Sequence, residues 1–241
     1  MSIADQITRL NNAKAAIKTS IENKGVVVPD DAKLDSYSTL IDSIEVGSGG
    51  SPTGDPAYCE TLFNIRTNNN TNYSYLFYSC SNVTSLNFSN WDTSNVTSIS
   101  RMFYDCSKLI SLNLSNWNTS NVTMMDGTFR GCEALTSLDL SSFNTAKTLD
   151  MSNMFYGCTK LTTVNLSNFD TTKTVSISAM FRNCTALIEL RLDNCSNATI
   201  KKIITSSNFP TFTSGTHTIY CKEENASGIT APTGWTFSYV S

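Results

Sequence analysis

The stretch Met102-Phe103-Tyr104-Asp105-Cys106-Ser107-Lys108-Leu109-Ile110-Ser111-Leu112-Asn113-Leu114-Ser115-Asn116-Trp117-Asn118-Thr119 decides the fold. From Ile110 to Leu114 apolar and polar residues alternate with a period of two, which turns Leu112 and Leu114 inward and Ser111 and Asn113 outward on a short strand. The same text recurs every 26 residues. Cys80, Cys106, Cys132, Cys158 and Cys184 hold one position, and Phe77, Phe103, Phe129, Phe155 and Phe181 keep step three residues ahead. Leu109, Leu135, Leu161 and Leu187 follow three residues behind, with Val83 in the first copy. Leu86, Leu112, Leu138, Val164 and Leu190 and then Phe88, Leu114, Leu140, Leu166 and Leu192 supply the strands, and Trp91, Trp117, Phe143 and Phe169 close the unit, with Cys195 in the last copy. A period of about 20 to 29 residues containing L-x-x-L-x-L predicts a leucine-rich-repeat solenoid, one strand per repeat, stacked into a parallel sheet.

Stacking turns repeat positions into columns. The outward strand positions Ser85, Ser111, Ser137, Thr163 and Glu189, and beside them Asn87, Asn113, Asp139, Asn165 and Arg191, form the candidate binding face. Short polar side chains on a regular sheet can hydrogen-bond a glycan or peptide, and a merely solvated surface explains them equally well. The cysteine column invites a disulfide or metal reading, since stacked Cα atoms fall within disulfide range. Each cysteine nevertheless sits between Phe and Leu core positions, so Cys80, Cys106, Cys132, Cys158 and Cys184 are expected as buried, reduced core residues. A single bridge among Cys59, Cys195 and Cys221 is left open. Sequons such as Asn82-Val83-Thr84 and Asn121-Val122-Thr123 read as turn chemistry rather than glycosylation sites.

The M-F-x-x-C-x-x-L-x-x-L-x-L-S-N-[WF]-[DN]-T unit, over roughly residues 73–204, resembles the repeat of BspA-like leucine-rich bacterial surface proteins. That resemblance implies adhesion or host contact. Residues 1–46 carry a different pattern. Ile3, Ile7, Leu10, Lys14, Ile17 and Ile21 are spaced four and three apart, a heptad seam, and Leu34, Tyr37, Ile41 and Ile44 form a second stripe. Two short helices are expected, either folded on each other as a hairpin or self-associating. Ile at both seam positions favours the second, as a homotrimer. This segment resembles a short N-terminal module of structural proteins of phages that infect gut bacteria, which implies attachment to other virion proteins and a place on the virion surface.

The expected fold class is therefore α+β: N-terminal helices, then a leucine-rich-repeat solenoid with a parallel β-sheet, then a C-terminal β-rich cap. The segments are an oligomerisation and attachment module at 1–46, a Gly/Ser/Pro linker at 47–56, an N-terminal cover at 57–72, five repeats at 73–204 and the cap at 205–241. Met1-Ser2-Ile3-Ala4-Asp5-Gln6 lacks the basic and apolar regions of an export signal, and no apolar run approaches a membrane span. Lys and Arg total 17 against 20 Asp and Glu, a net charge of -3, so neither nucleic acid nor a membrane is an expected partner. His217 is the only histidine, and no phosphate loop or nucleophile elbow occurs, so no enzyme, metal or cofactor is expected. The function read from sequence is a phage head or tail fibre presenting the solenoid to a host surface glycan or protein; the alternative is a secreted or surface adhesin of the BspA-like class.

Overall fold

The computed structural model describes residues 71–88, 91–207 and 209–240. The expected N-terminal helices with the seam residues Ile3, Ile7, Leu10, Lys14, Ile17 and Ile21, the expected linker, and residues 57–70 of the expected cover lie outside the described residues. Within them the chain is a parallel β structure with one α-helix. Five three-residue strands recur with the repeat: β1 (Ser85–Asn87), β2 (Ser111–Asn113), β3 (Ser137–Asp139), β4 (Thr163–Asn165) and β5 (Glu189–Arg191). Their central residues fall in one column, Leu86 opposite Leu112 and Leu138 opposite Val164 and Leu190. The ladder is interrupted once. β1 pairs with β2, and β3 begins a second sheet that runs on through β4 and β5. Ile110, at the head of the alternation, is 53% exposed, so the inward face begins at Leu112.

The other side of each repeat is hydrogen-bonded as well. Asn72, Ser98, Met124, Asp150 and Ser176 form a chain of parallel bridges. The amides of Phe77, Phe103, Phe129 and Phe155 donate to the carbonyls of Met102, Thr128, Met154 and Met180 in the next repeat at 2.8 to 2.9 Å. Two positions per turn are left-handed. They are held by Tyr75, Arg101, Gly127, Asn153 and Ala179 and by Ser79, Asp105, Gly131, Gly157 and Asn183.

Between these two ladders lies the core. The Phe77, Phe103, Phe129, Phe155 and Phe181 rings stack nearly parallel with centroids 5.1 to 5.7 Å apart. All five are fully buried, and burial of one such ring contributes roughly 1.5 to 3 kcal/mol. Polar groups inside are matched repeat to repeat. The Asn118 and Asn144 amides donate to Thr93 and Thr119 Oγ1 at 2.8 Å, and the Thr119 and Thr145 hydroxyls donate onward to Asn144 and Asp170 carbonyls. One threonine thus fills both backbone bonding capacities of its neighbour.

Past the last strand the chain changes form. α1 (Asn197–Ile204) takes the place of a turn, its Ser196 side chain accepting the Thr199 amide as an N-cap, with Ile200, Ile203 and Ile204 buried. The segment beyond residue 205 then does more than cover the end. β6 (His217–Cys221) and β7 (Trp235–Tyr239) add two parallel strands in register, Leu190 opposite Ile219 opposite Phe237. Trp235 packs 5.5 Å from Phe209, and its Nε1 donates to the Pro210 carbonyl at 2.8 Å. Among the described residues no helix is long and apolar enough to cross a membrane.

One expectation needs correction. Cys80 is buried as expected, but it is disulfide-bonded rather than reduced. The reason lies in its position. Cys106, Cys132, Cys158 and Cys184 each donate Sγ–H to the phenylalanine carbonyl of the preceding repeat, Phe77, Phe103, Phe129 and Phe155, at 3.0 to 3.1 Å. Cys80 heads the column, before any such repeat. Cys195 and Cys221 are free thiols.

Candidate functional site

On the strand face, pairing aligns Ser85 with Ser111, and Ser137 with Thr163 and Glu189; Thr218 and Thr236 extend that column. Ser85, Ser111 and Ser137 are exposed, Thr163 and Glu189 half-buried. The neighbouring column runs Asn87, Asn113, then Asp139, Asn165, Arg191, Tyr220 and Ser238. Much of this second column is already engaged. Asn113 Oδ1 accepts from the amide and hydroxyl of Ser115, Asn165 Oδ1 does the same with Ser167, and Asp139 Oδ1 accepts the Ser141 amide. These are Asx turns that bend the chain away after each strand. Arg191 is held too, by Asp193 Oδ2 at 2.6 Å, by Glu189 at 3.7 Å, and over the Tyr220 ring at 4.9 Å. The strand face therefore offers a row of small hydroxyls, beside side chains that mostly serve the fold.

The turn side carries a second row that the sequence reading did not single out. The residue following each core phenylalanine is Tyr78, Tyr104, Arg130, Tyr156 or Arg182. The Tyr78 and Tyr104 rings stack at 4.7 Å. The Arg130 guanidinium lies over Tyr104 at 5.1 Å and over Tyr156 at 4.4 Å, and that of Arg182 over Tyr156 at 5.5 Å. Beside them Arg101 sits over Tyr75, bonds its hydroxyl, and pairs with Asp126 at 3.5 Å. Since this position changes residue type from copy to copy, a consensus writes it as x. Reading the variable positions as columns with the same 26-residue step would have shown it.

Neither row contains a reactive group. Burial pushes the thiols of Cys106, Cys184 and Cys195 up to about 12, and those of Cys132 and Cys158 well above the ordinary thiol range. Such thiols are poor nucleophiles and poor metal ligands at neutral pH. His217 is a buried residue of β6, stacked on Phe212 at 3.6 Å, with Nδ1 and Nε2 facing the Leu187 and Ser214 carbonyls at 2.8 and 3.2 Å. Among the described residues no group of three or more His, Cys, Asp or Glu side chains is placed to hold a metal ion. The sequon asparagine Asn121 donates Nδ2 to the Ser94 carbonyl and accepts Lys147 Nζ, both at 2.8 Å, a turn role.

No curated protein and no solved structure matches the chain. A family model described as "Mycoplasma protein of unknown function, DUF285" matches residues 71–194, which span the five strands and the whole cysteine column. The match covers more than half of the chain and coincides with the repeats that carry both rows, so the chain belongs to that family.

Proposed function

We propose that this chain is a non-enzymatic bacterial surface protein, a leucine-rich-repeat solenoid of the BspA-like class that touches a host glycan or protein. The observation that carries the reading is the coincidence of the family match over residues 71–194 with an in-register stack of repeats. Such a stack spreads one chemistry along a long face, which suits contact with an extended partner rather than catalysis on a small one. The inert thiols and the backbone-bonded His217 support the non-enzymatic part, and the disulfide at Cys80 is in keeping with an oxidising, surface location. In this reading no cofactor, nucleic acid or membrane span takes part.

A phage fibre remains the second reading, resting on the pattern of residues 1–46. In either case we assign self-association, as a homotrimer, to the seam Ile3, Ile7, Leu10, Lys14, Ile17 and Ile21. Immunogold labelling with antibodies to residues 71–240 separates the readings. Gold on intact cells of the encoding bacterium is the expected result. Gold confined to released phage particles would transfer the stack to a virion, and gold only inside permeabilised cells would overturn both.

A further inference from the structure

We propose that the turn side of the stack binds an extended acidic polysaccharide carrying one carboxylate or sulfate per disaccharide. The proposal rests on the surface-contact reading and names its ligand. Its core is the alternation Arg130, Tyr156, Arg182 on three successive repeats. Tyrosine rings cover both faces of the Arg130 guanidinium and one face of Arg182. The open side of a guanidinium stacked in this way is its N–H edge, a planar fork that matches a carboxylate or sulfate with two parallel hydrogen bonds. Stacking also holds the fork in place before the ligand arrives, so less side-chain freedom is lost on binding. Among the described residues neither Arg130 nor Arg182 forms an ion pair or a side-chain hydrogen bond, whereas Arg101 and Arg191 are both neutralised by carboxylates. The Asp105 carboxylate lies near enough to Arg130 for the two charges to attract, so Arg182 is the freer of the two cations on a chain of net charge -3.

Spacing narrows the ligand. The two forks are two repeats apart, roughly 10 Å, twice the spacing of stacked strands. An acidic peptide in β conformation presents same-face side chains every second residue, about 6.6 Å, and misses that interval, and only a polyproline-II peptide, at about 9.3 Å, comes near it. A β-linked polysaccharide with one acid per disaccharide meets it, and Tyr156 between the forks offers a hydroxyl to the intervening sugar.

The test uses the full chain over immobilised hyaluronan and unsulfated chondroitin, each with one carboxylate per disaccharide, with dextran as the neutral surface. The parent is expected to bind the acidic glycans and not dextran, more weakly as NaCl rises from about 0.05 to about 0.3 M. The double variant Arg130→Gln, Arg182→Gln should bind at least about tenfold more weakly, with an unchanged melting temperature. Lys160→Gln with Lys173→Gln removes the same charge from exposed positions and should leave binding within about twofold. Tyr156→Ala should weaken binding by unsupporting both forks. A parent that binds neither acidic glycan, an arginine variant that binds like the parent, or a lysine variant that falls equally would overturn the proposal. If the arginine variant fails on glycan surfaces yet still coats host cells like the parent, the row binds glycan but host contact runs elsewhere. Should the purified parent fail on glycan while immunogold places it on intact cells, the surface reading stands without this ligand.

Discussion

Cys132 shows how a single side chain is fixed by its place in the column. It is fully buried, donates Sγ–H to the Phe103 carbonyl at 3.1 Å, and has column neighbours in Cys106 and Cys158. An unfolded thiol ionises near pH 8.5, while burial raises Cys106, Cys184 and Cys195 to about 12. Above pH 8.5 the unfolded chain therefore releases protons that the folded chain keeps. Stability is fully present below that value and is lost progressively as pH rises toward about 12. Melting curves should shift down between pH 8 and about 10.5, and iodoacetamide at pH 7.5 should leave Cys106, Cys132, Cys158, Cys184 and Cys195 unlabelled in native protein while labelling them in guanidinium. Rapid native labelling would place these residues outside the core. At the same scale, Asn113→Ala should cost about 0.5 to 1 kcal/mol in chemical denaturation, because Oδ1 accepts two bonds from Ser115. The expectation of a purely solvent-facing residue misses this, since strand alternation says which way a side chain leaves the sheet and not whether it curls back onto the next turn.

At the level of the element, the turn between strands sets the strictest backbone demands. Gly131 has φ +73°, and a Cβ there would lie 3.3 Å from the Asp105 Cα and closer still to its carboxylate. Gly131→Ala should destabilise by at least about 1 kcal/mol. Ala179 occupies the other left-handed position (φ 53°) without glycine, so Ala179→Gly should gain about 0.5 kcal/mol, the relief of strain outweighing the added chain entropy. Equal and opposite results in urea titrations would reverse the assignment of these turns. The strands were legible from sequence because burial of one face forces period two, and stacking forces one fixed length per repeat. β6 and β7 were not: Tyr220 follows its partner Arg191 by 29 residues and Ser238 follows Tyr220 by 18, so the fixed step is gone while the pairing persists. The arginine and tyrosine row escaped for a related reason. Stacking asks only for planar side chains at that position, and Tyr and Arg meet the demand equally.

For the molecule as a whole, the repeats from residue 71 onward depend on the segment that follows them. Removing residues 205–240 would strip β6 and β7 from β5 and bare Leu190, Leu192 and the β5 edge. The truncated protein should aggregate, as light scattering would show, because an unpaired edge over an apolar rung recruits other chains. Each repeat is bonded to the next on the turn side as well as on the strand side. Hydrogen exchange of the native protein measures this directly. The Phe103, Phe129 and Phe155 amides, which donate to Thr128, Met154 and Met180 carbonyls, should exchange as slowly as the amides of Leu140 and Leu166, which directly follow β3 and β4 and donate to Asn165 and Arg191 carbonyls. Fast exchange at the phenylalanines beside slow strands would contradict the account, reducing the stack to a lone parallel sheet with unbonded turns.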